Sequence, residues 1–116
     1  MAAQKCFEIF HHYLKTGDAT QMLSLADSVE IFGSSSIGDG KTYIGHRAPD
    51  KFRECLNGAG QRRIAQDINI CHADIESNRG TYVFEIGRGR SRKRHILVLG
   101  TKSGKLTTFH EAPVSF

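Results

Sequence analysis

Two residues near the end of the chain, His95 and Glu111, have the side-chain types that move protons together. A carboxylate bonded to one imidazole nitrogen fixes the tautomer and leaves the other nitrogen to act as a base or hydrogen-bond acceptor. Thr101-Lys102-Ser103-Gly104 stands between them and reads as a turn. If His95 to Leu99 and Leu106 to Glu111 are antiparallel strands with His95 opposite Glu111, the two side chains stand about 5 Å apart on one face. A slip of one residue pairs His95 with His110 and turns Glu111 away, leaving a rim histidine and an exposed glutamate.

Other chemistry-bearing residues are less well placed. His72, Asp74 and Glu76 share strand parity and have ligand types, but they sit at a polar strand end beside a turn, which is also how a solvated end reads. His11 and His12 have only Lys15 and Thr16 at helical spacing, so no metal site is expected there. Asp67 and Asn69 alternate with Ile68 and read as an outward face. Tyr43 and His46 flank the start of a helix and could stand at a pocket mouth. The run Arg88, Arg90, Arg92, Lys93, Arg94 could contact phosphates and bind nucleic acid in a salt-sensitive way, or be a solvated hairpin tip. It lacks interleaved aromatics for base stacking. The glycine-rich GSSSIGDG, residues 33–40, lacks the closing Gly-Lys-Ser/Thr of a phosphate loop.

Helices come first in the chain. Cys6, Phe7, Phe10, Tyr13 and Leu14 recur at helical spacing within 2–15, and Gly17 supplies a left-handed stop. Asp18 with Gln21 suggests a capping box for a short helix burying Met22, Leu23, Leu25 and Ala26. Val29 to Phe32 reads as a strand, 33–40 as a loop, and Lys41 to Ile44 as a return. Ala48, Phe52, Cys55 and Leu56 define a third helix, with Pro49 in its first turn. From Arg62 the period becomes two. Ile64, Gln66, Ile68 and Ile70 share one face, and Tyr82, Phe84 and Ile86 share another. Both faces are apolar enough to be concave, which aims Gln66 and Tyr82 inward; each could equally be a satisfied core group.

With 116 residues, a chain of this length is expected to form one domain with a core of its own. Hydrophobic content of 39% and charged content of 24% exclude a disordered chain. No apolar run approaches a membrane span, and MAAQKCFEIF does not read as a signal peptide, so a cytoplasmic protein is expected. Cys6, Cys55 and Cys71 are an odd, scattered set without a C-x-x-C, which argues against zinc, redox and disulfide roles. The net charge of +4 gives a general attraction to anions.

Helices followed by hairpin-connected strands make an α+β pattern, in which an antiparallel sheet curls over the helices to form a cone-shaped barrel with a pocket. The order of a first helix, then GDATQMLSLADSVEIFG, YIGHRAPDKF and long strands with a late SGKL turn resembles the nuclear transport factor 2-like superfamily. That superfamily includes ketosteroid isomerase, limonene epoxide hydrolase and the SnoaL-like polyketide cyclases. The resemblance covers nearly all of 1–116 and implies one such domain, a hydrophobic small-molecule ligand, a homodimer, and no metal or organic cofactor. It also implies departures. Where ketosteroid isomerase places a Tyr and two Asp, this chain has Phe10, then Ile31 or Phe32, then His95 or Ile96.

The candidate site is therefore His95 and Glu111 for catalysis, with Phe10, Phe32, Gln66, Tyr82 and Phe84 as ligand-lining residues. The function expected is binding of a hydrophobic ligand, with isomerase, cyclase, dehydratase or hydrolase chemistry in view. The alternative is a non-catalytic module that binds a protein or, through 88–94, an anionic polymer.

Overall fold

The computed structural model describes residues 2–60, 67–87 and 89–114. Helix α1 (Ala2–Thr16) is followed by the short α2 (Thr20–Leu23), a 3-10 turn (Ala26–Ser28), β1 (Ile31–Ser34) and β2 (Thr42–Ile44). Helix α3 (Arg47–Gly60) leads to β3 (Ile68–Ile75) and β4 (Arg79–Ile86). A second 3-10 turn (Gly89–Ser91) then precedes β5 (Lys93–Lys102) and β6 (Lys105–Pro113).

The apolar stripe predicted for α1 is its buried face: Ala3, Cys6, Phe7, Phe10, Tyr13 and Leu14. Gly17 ends the helix at φ 76°, donating its N–H to the Tyr13 carbonyl at 2.8 Å. The predicted capping box does not form. Asp18 Oδ1 instead accepts from the Thr20 amide and hydroxyl, at 3.0 and 2.7 Å, and α2 starts at Thr20 without a side-chain cap. This local turn satisfies the carboxylate before the helix begins.

The six strands run in the order β2-β1-β6-β5-β4-β3. The sheet differs from the expected antiparallel barrel in two ways. It is mixed, because β1 pairs with β6 in parallel, Ile31 with Thr108 through Ser34 with Glu111. No tight turn joins β1 and β6, so nothing forces them antiparallel. It is also open, with β2 and β3 at its two edges; β2 has three residues and offers little to close onto. No helix among the described residues is long and apolar enough to cross a membrane.

The strand expected from Arg62 is β3, beginning at Ile68; Ile64 and Gln66 lie outside the described residues. A bulge between Ile70 and His72 shifts its alternation. Ile68 and Ile70 face the same side as Ile86 and Phe84, while His72 and Asp74 face outward and are exposed. No group of three potential metal ligands occurs among the described residues.

The core lies between the helices and one face of the sheet. Phe10, Phe32, Phe52, Phe84 and Phe109 are all enclosed there and meet mainly edge to face. Phe7 stacks on Tyr82 with ring centroids 3.8 Å apart. Burying each such ring contributes roughly 2–3 kcal/mol. This packing is the frame against which β5 and β6 are set.

Candidate functional site

Hairpin register decides what faces what. Ser103 and Gly104 form a two-residue turn with φ of 53° and 77°, pairing Lys102 with Lys105 and Thr101 with Leu106. Continued unbroken, that register would set Ile96 against Glu111 and turn the carboxylate to the outer face. It is broken between Gly100 and Thr101, and Gly100 pairs with Thr108. Thr107 is the extra residue. Its hydroxyl donates to the Gly100 carbonyl at 3.2 Å, and its own carbonyl accepts from the Glu30 amide at 2.8 Å. The bulge restores parity, so that Leu106, Phe109 and Glu111 all point inward. The predicted direct pairing of His95 with Glu111 is thereby corrected. His95 stands opposite Pro113 and Glu111 opposite Leu97, diagonal neighbours on one face.

The dyad nevertheless forms. His95 Nδ1 lies 2.8 Å from Glu111 Oε2. Both residues are buried, at 7% and 2% exposure. The imidazole stacks on Phe84, centroids 5.6 Å apart and planes 14° apart.

The parallel pairing of β1 with β6 brings Ser34 beside Glu111, and the loop that follows wraps the carboxylate. Ser34 Oγ donates to Oε1 at 2.8 Å, the Ser36 amide to Oε1 at 2.9 Å, and Ser35 Oγ to Oε2 at 2.7 Å. The Ser36 hydroxyl also donates to Oε1. Ser34 Oγ in turn accepts from the Ile37 amide at 3.2 Å. Burial would push the Glu111 carboxyl up, but hydrogen bonds from His95, Ser36, Ser35 and Ser34 outweigh it and hold the group down at about 2. Glu111 is thus a fixed carboxylate. Since a carboxylate only accepts, its bond to His95 assigns a proton to Nδ1, and in the neutral imidazole it is then Nε2 that carries the lone pair.

These serines were readable in the sequence only as loop residues. A serine run at a strand end can cradle an anion, but the anion here belongs to the same chain, and only the parallel pairing reveals it.

The other expected residues fall as follows. Phe84 packs behind the imidazole. Phe10, Phe32 and Tyr82 are enclosed in the aromatic core, where Phe10 touches Phe84 and Phe109. Gln66 lies outside the described residues. The positions compared with ketosteroid isomerase hold Phe10 and Phe32 in the core and Ile31 and Ile96 on the outer face of the sheet; of that set, His95 can exchange a proton. Tyr43 donates to Asp39 Oδ2 at 2.7 Å and lies beneath Arg47 and Lys51, at a surface hollow of about 210 Å³; His46 is exposed. A hollow of about 350 Å³ lies at the far end of the β5–β6 hairpin, against Ser28, Lys105 and Leu106.

The basic run is only partly a hairpin tip. Lys93 and Arg94 belong to β5. Arg92 and Arg94 are paired with Glu85 on β4, at 3.5 and 3.1 Å, which removes two of its five cations from the set available to phosphates.

No protein-family model and no curated protein matches the chain. Solved structures do. An NTF2-like protein from Anabaena variabilis is similar at a TM-score of 0.74 and 15% identity, covering 99% of this chain and 88% of that one. The fold is that of the nuclear transport factor 2-like superfamily. A putative SnoaL-like polyketide cyclase from Shewanella putrefaciens shares this NTF2-like fold at a TM-score of 0.69 and 14% identity, covering 96% and 79% of the two chains. So does a protein with a ketosteroid isomerase-like fold from Catenulispora acidiphila, in complex with trimethylamine, at 0.65 and 11%, covering 92% and 83%.

Proposed function

We propose that the chain is a single ligand-binding domain that holds a hydrophobic small molecule against His95. In this reading His95 Nε2 is the general base of a cofactor-independent reaction, and Glu111 positions it. One observation carries the reading: a buried carboxylate, ionised by four donations from three serines, holds a buried imidazole through Nδ1. Such a carboxylate has no lone pair to spare for a ligand, so its use is to orient the histidine. Nε2 would take a proton from an acidic C–H or O–H of the ligand, and Glu111 would stabilise the imidazolium. Proton abstraction of that kind opens isomerisation, cyclisation and dehydration. Support from likeness is limited to the fold, whose neighbours include a putative polyketide cyclase and a protein in complex with trimethylamine.

A thermal-shift screen with apolar small molecules tests the binding role, since a ligand that binds only the native state raises the melting temperature. A hit should lose its shift in His95→Gln and turn over more slowly in Glu111→Gln. Unchanged binding and turnover in His95→Gln would dispose of the reading.

A homodimer through the outer sheet face belongs to the same proposal. Val83, Ile96 and Ala112 form one cross-strand row on that face, Val98 stands in the next row between Thr81 and His110, and all four apolar residues are only half-buried in one chain. Light scattering should give a dimer, and Ile96→Glu a monomer.

A further inference from the structure

We propose that the ligand of the His95 site carries an anionic head group, a carboxylate or phosphate, with Lys93 at the lip of the site as its counter-ion. The inference rests on the binding role assigned to His95 and adds the charge and length of what binds there.

Lys93 pairs with Ile86 on β4 and shares the helix-facing side of β5 with His95, two residues further on. Two residues of a strand span about 7 Å. Lys93 is exposed and His95 buried, so the cation stands outside the imidazole on the same face. Two cross-strand rows connect them to an apolar wall. One runs Ile68, Ile86, Lys93; the next runs Ile70, Phe84, His95. Ile70 is 42% exposed, a large apolar side chain uncovered two strands away from the buried imidazole, on the far side of Phe84.

Charge at this end of the sheet is uneven. Arg90, in the turn between β4 and β5, is exposed, and neither it nor Lys93 makes an ion pair among the described residues. The acids nearby are engaged. Glu85 faces outward and holds Arg92 and Arg94; Glu111 is held by His95 and the serines; Asp67 interacts as well. Among the described residues, the uncompensated charge at this end of the sheet is positive. A molecule with a donor at one end, an apolar body and an anion about 7 Å away can meet Nε2, the isoleucines and Lys93 together.

The test uses four probes of one shape: 4-hydroxyphenylacetate, its neutral amide, the cation tyramine, and phenylacetate, which lacks the donor. Dissociation constants come from NMR titration. 4-Hydroxyphenylacetate should bind about fivefold more tightly than the amide, the size of an exposed ion pair. Lys93→Gln and high salt should each erase that difference without weakening the amide. Phenylacetate should bind more weakly than its hydroxylated form. If the amide or tyramine binds as tightly as the anion, while His95→Phe weakens all hydroxylated probes, the inference is overturned and the role of His95 stands. If no probe binds, or His95→Phe changes nothing, the binding role falls and the inference with it. Co-sedimentation with phosphatidylcholine–phosphatidylserine vesicles that Lys93→Gln abolishes would overturn it too, by giving Lys93 to a membrane surface.

Discussion

Glu111 stands opposite Leu97, yet its carboxylate reaches His95, 2.8 Å away on the diagonal. The contact depends on Thr107, the residue of β6 inserted opposite the Gly100–Thr101 step of β5. A two-residue turn without the bulge would send Glu111 to the outer face, because strand parity reverses with each single-residue slip.

Deleting Thr107 should therefore be far worse than altering it. Either Phe109 and Glu111 leave the interior, or Leu106 and the turn do. The expected loss is more than about 4 kcal/mol, at the severe end of single changes. Thr107→Ser, which keeps the extra residue and its hydroxyl, should cost less than about 1 kcal/mol. Urea denaturation of the two variants gives the comparison; a stable deletion variant with the His95–Glu111 contact intact would contradict the parity argument.

Glu111→Gln tests the cradle. The amide keeps the shape but loses the charge, and its NH2 group meets either the Ser36 N–H or the His95 Nδ1–H as donor against donor, while the serine hydroxyls beside it must turn to accept. Removing one member of a buried charged network is expected to cost about 3 kcal/mol. Ser35→Ala, which deletes one of the hydroxyl donors at an exposed residue, should cost about 1 kcal/mol. Equal losses in the two variants would mean that Glu111 is not the centre of the cluster.

Much of the fold is legible in the chain because periodicity reports local geometry: the stripe of α1, the Gly17 stop and the alternation of Tyr82, Phe84 and Ile86 are all present in the structure. The pairing of His95 with Glu111 was legible as residue types and parity, but not as register. A bulge is one residue of backbone with no strong sequence mark, and Thr107 looks like any strand threonine. The serine cradle was not legible at all. It requires Ser34 to lie beside Glu111 in a parallel pair, and nothing local to GSSSIG specifies a partner from the far end of the chain.

Gly80 gives a prediction about close packing. A Cβ placed there would lie 2.5 Å from the Tyr82 hydroxyl oxygen and 2.6 Å from a ring carbon. Tyr82 lies over Gly80, is 1% exposed and is stacked on Phe7, so it has no easy retreat. Gly80→Ala should destabilise by about 2 kcal/mol through overpacking. Gly80→Ala in a Tyr82→Leu background should cost much less, because the obstructing ring is gone. A double-mutant cycle in urea reads the coupling directly; additive losses would contradict the contact.

Acid should weaken the protein through Glu111. Its folded-state carboxyl is held at about 2 against an ordinary value of 4.5. A depressed carboxyl binds fewer protons when folded than when unfolded, so stability rises with pH across that interval. The contribution is complete above about pH 4.5 and is lost as the pH falls toward 2. The shift corresponds to about 3 kcal/mol, and Glu111 is buried enough for that conversion to hold. Denaturation midpoints measured from neutral pH down to strong acid should therefore fall steeply below about pH 4.5 in the wild type. Glu111→Gln should lower stability at neutral pH and flatten the acid limb, so that the two proteins converge as the pH approaches 2. Parallel curves, with a constant gap at every pH, would show that the carboxylate is not held in its ionised form by His95 and the serines.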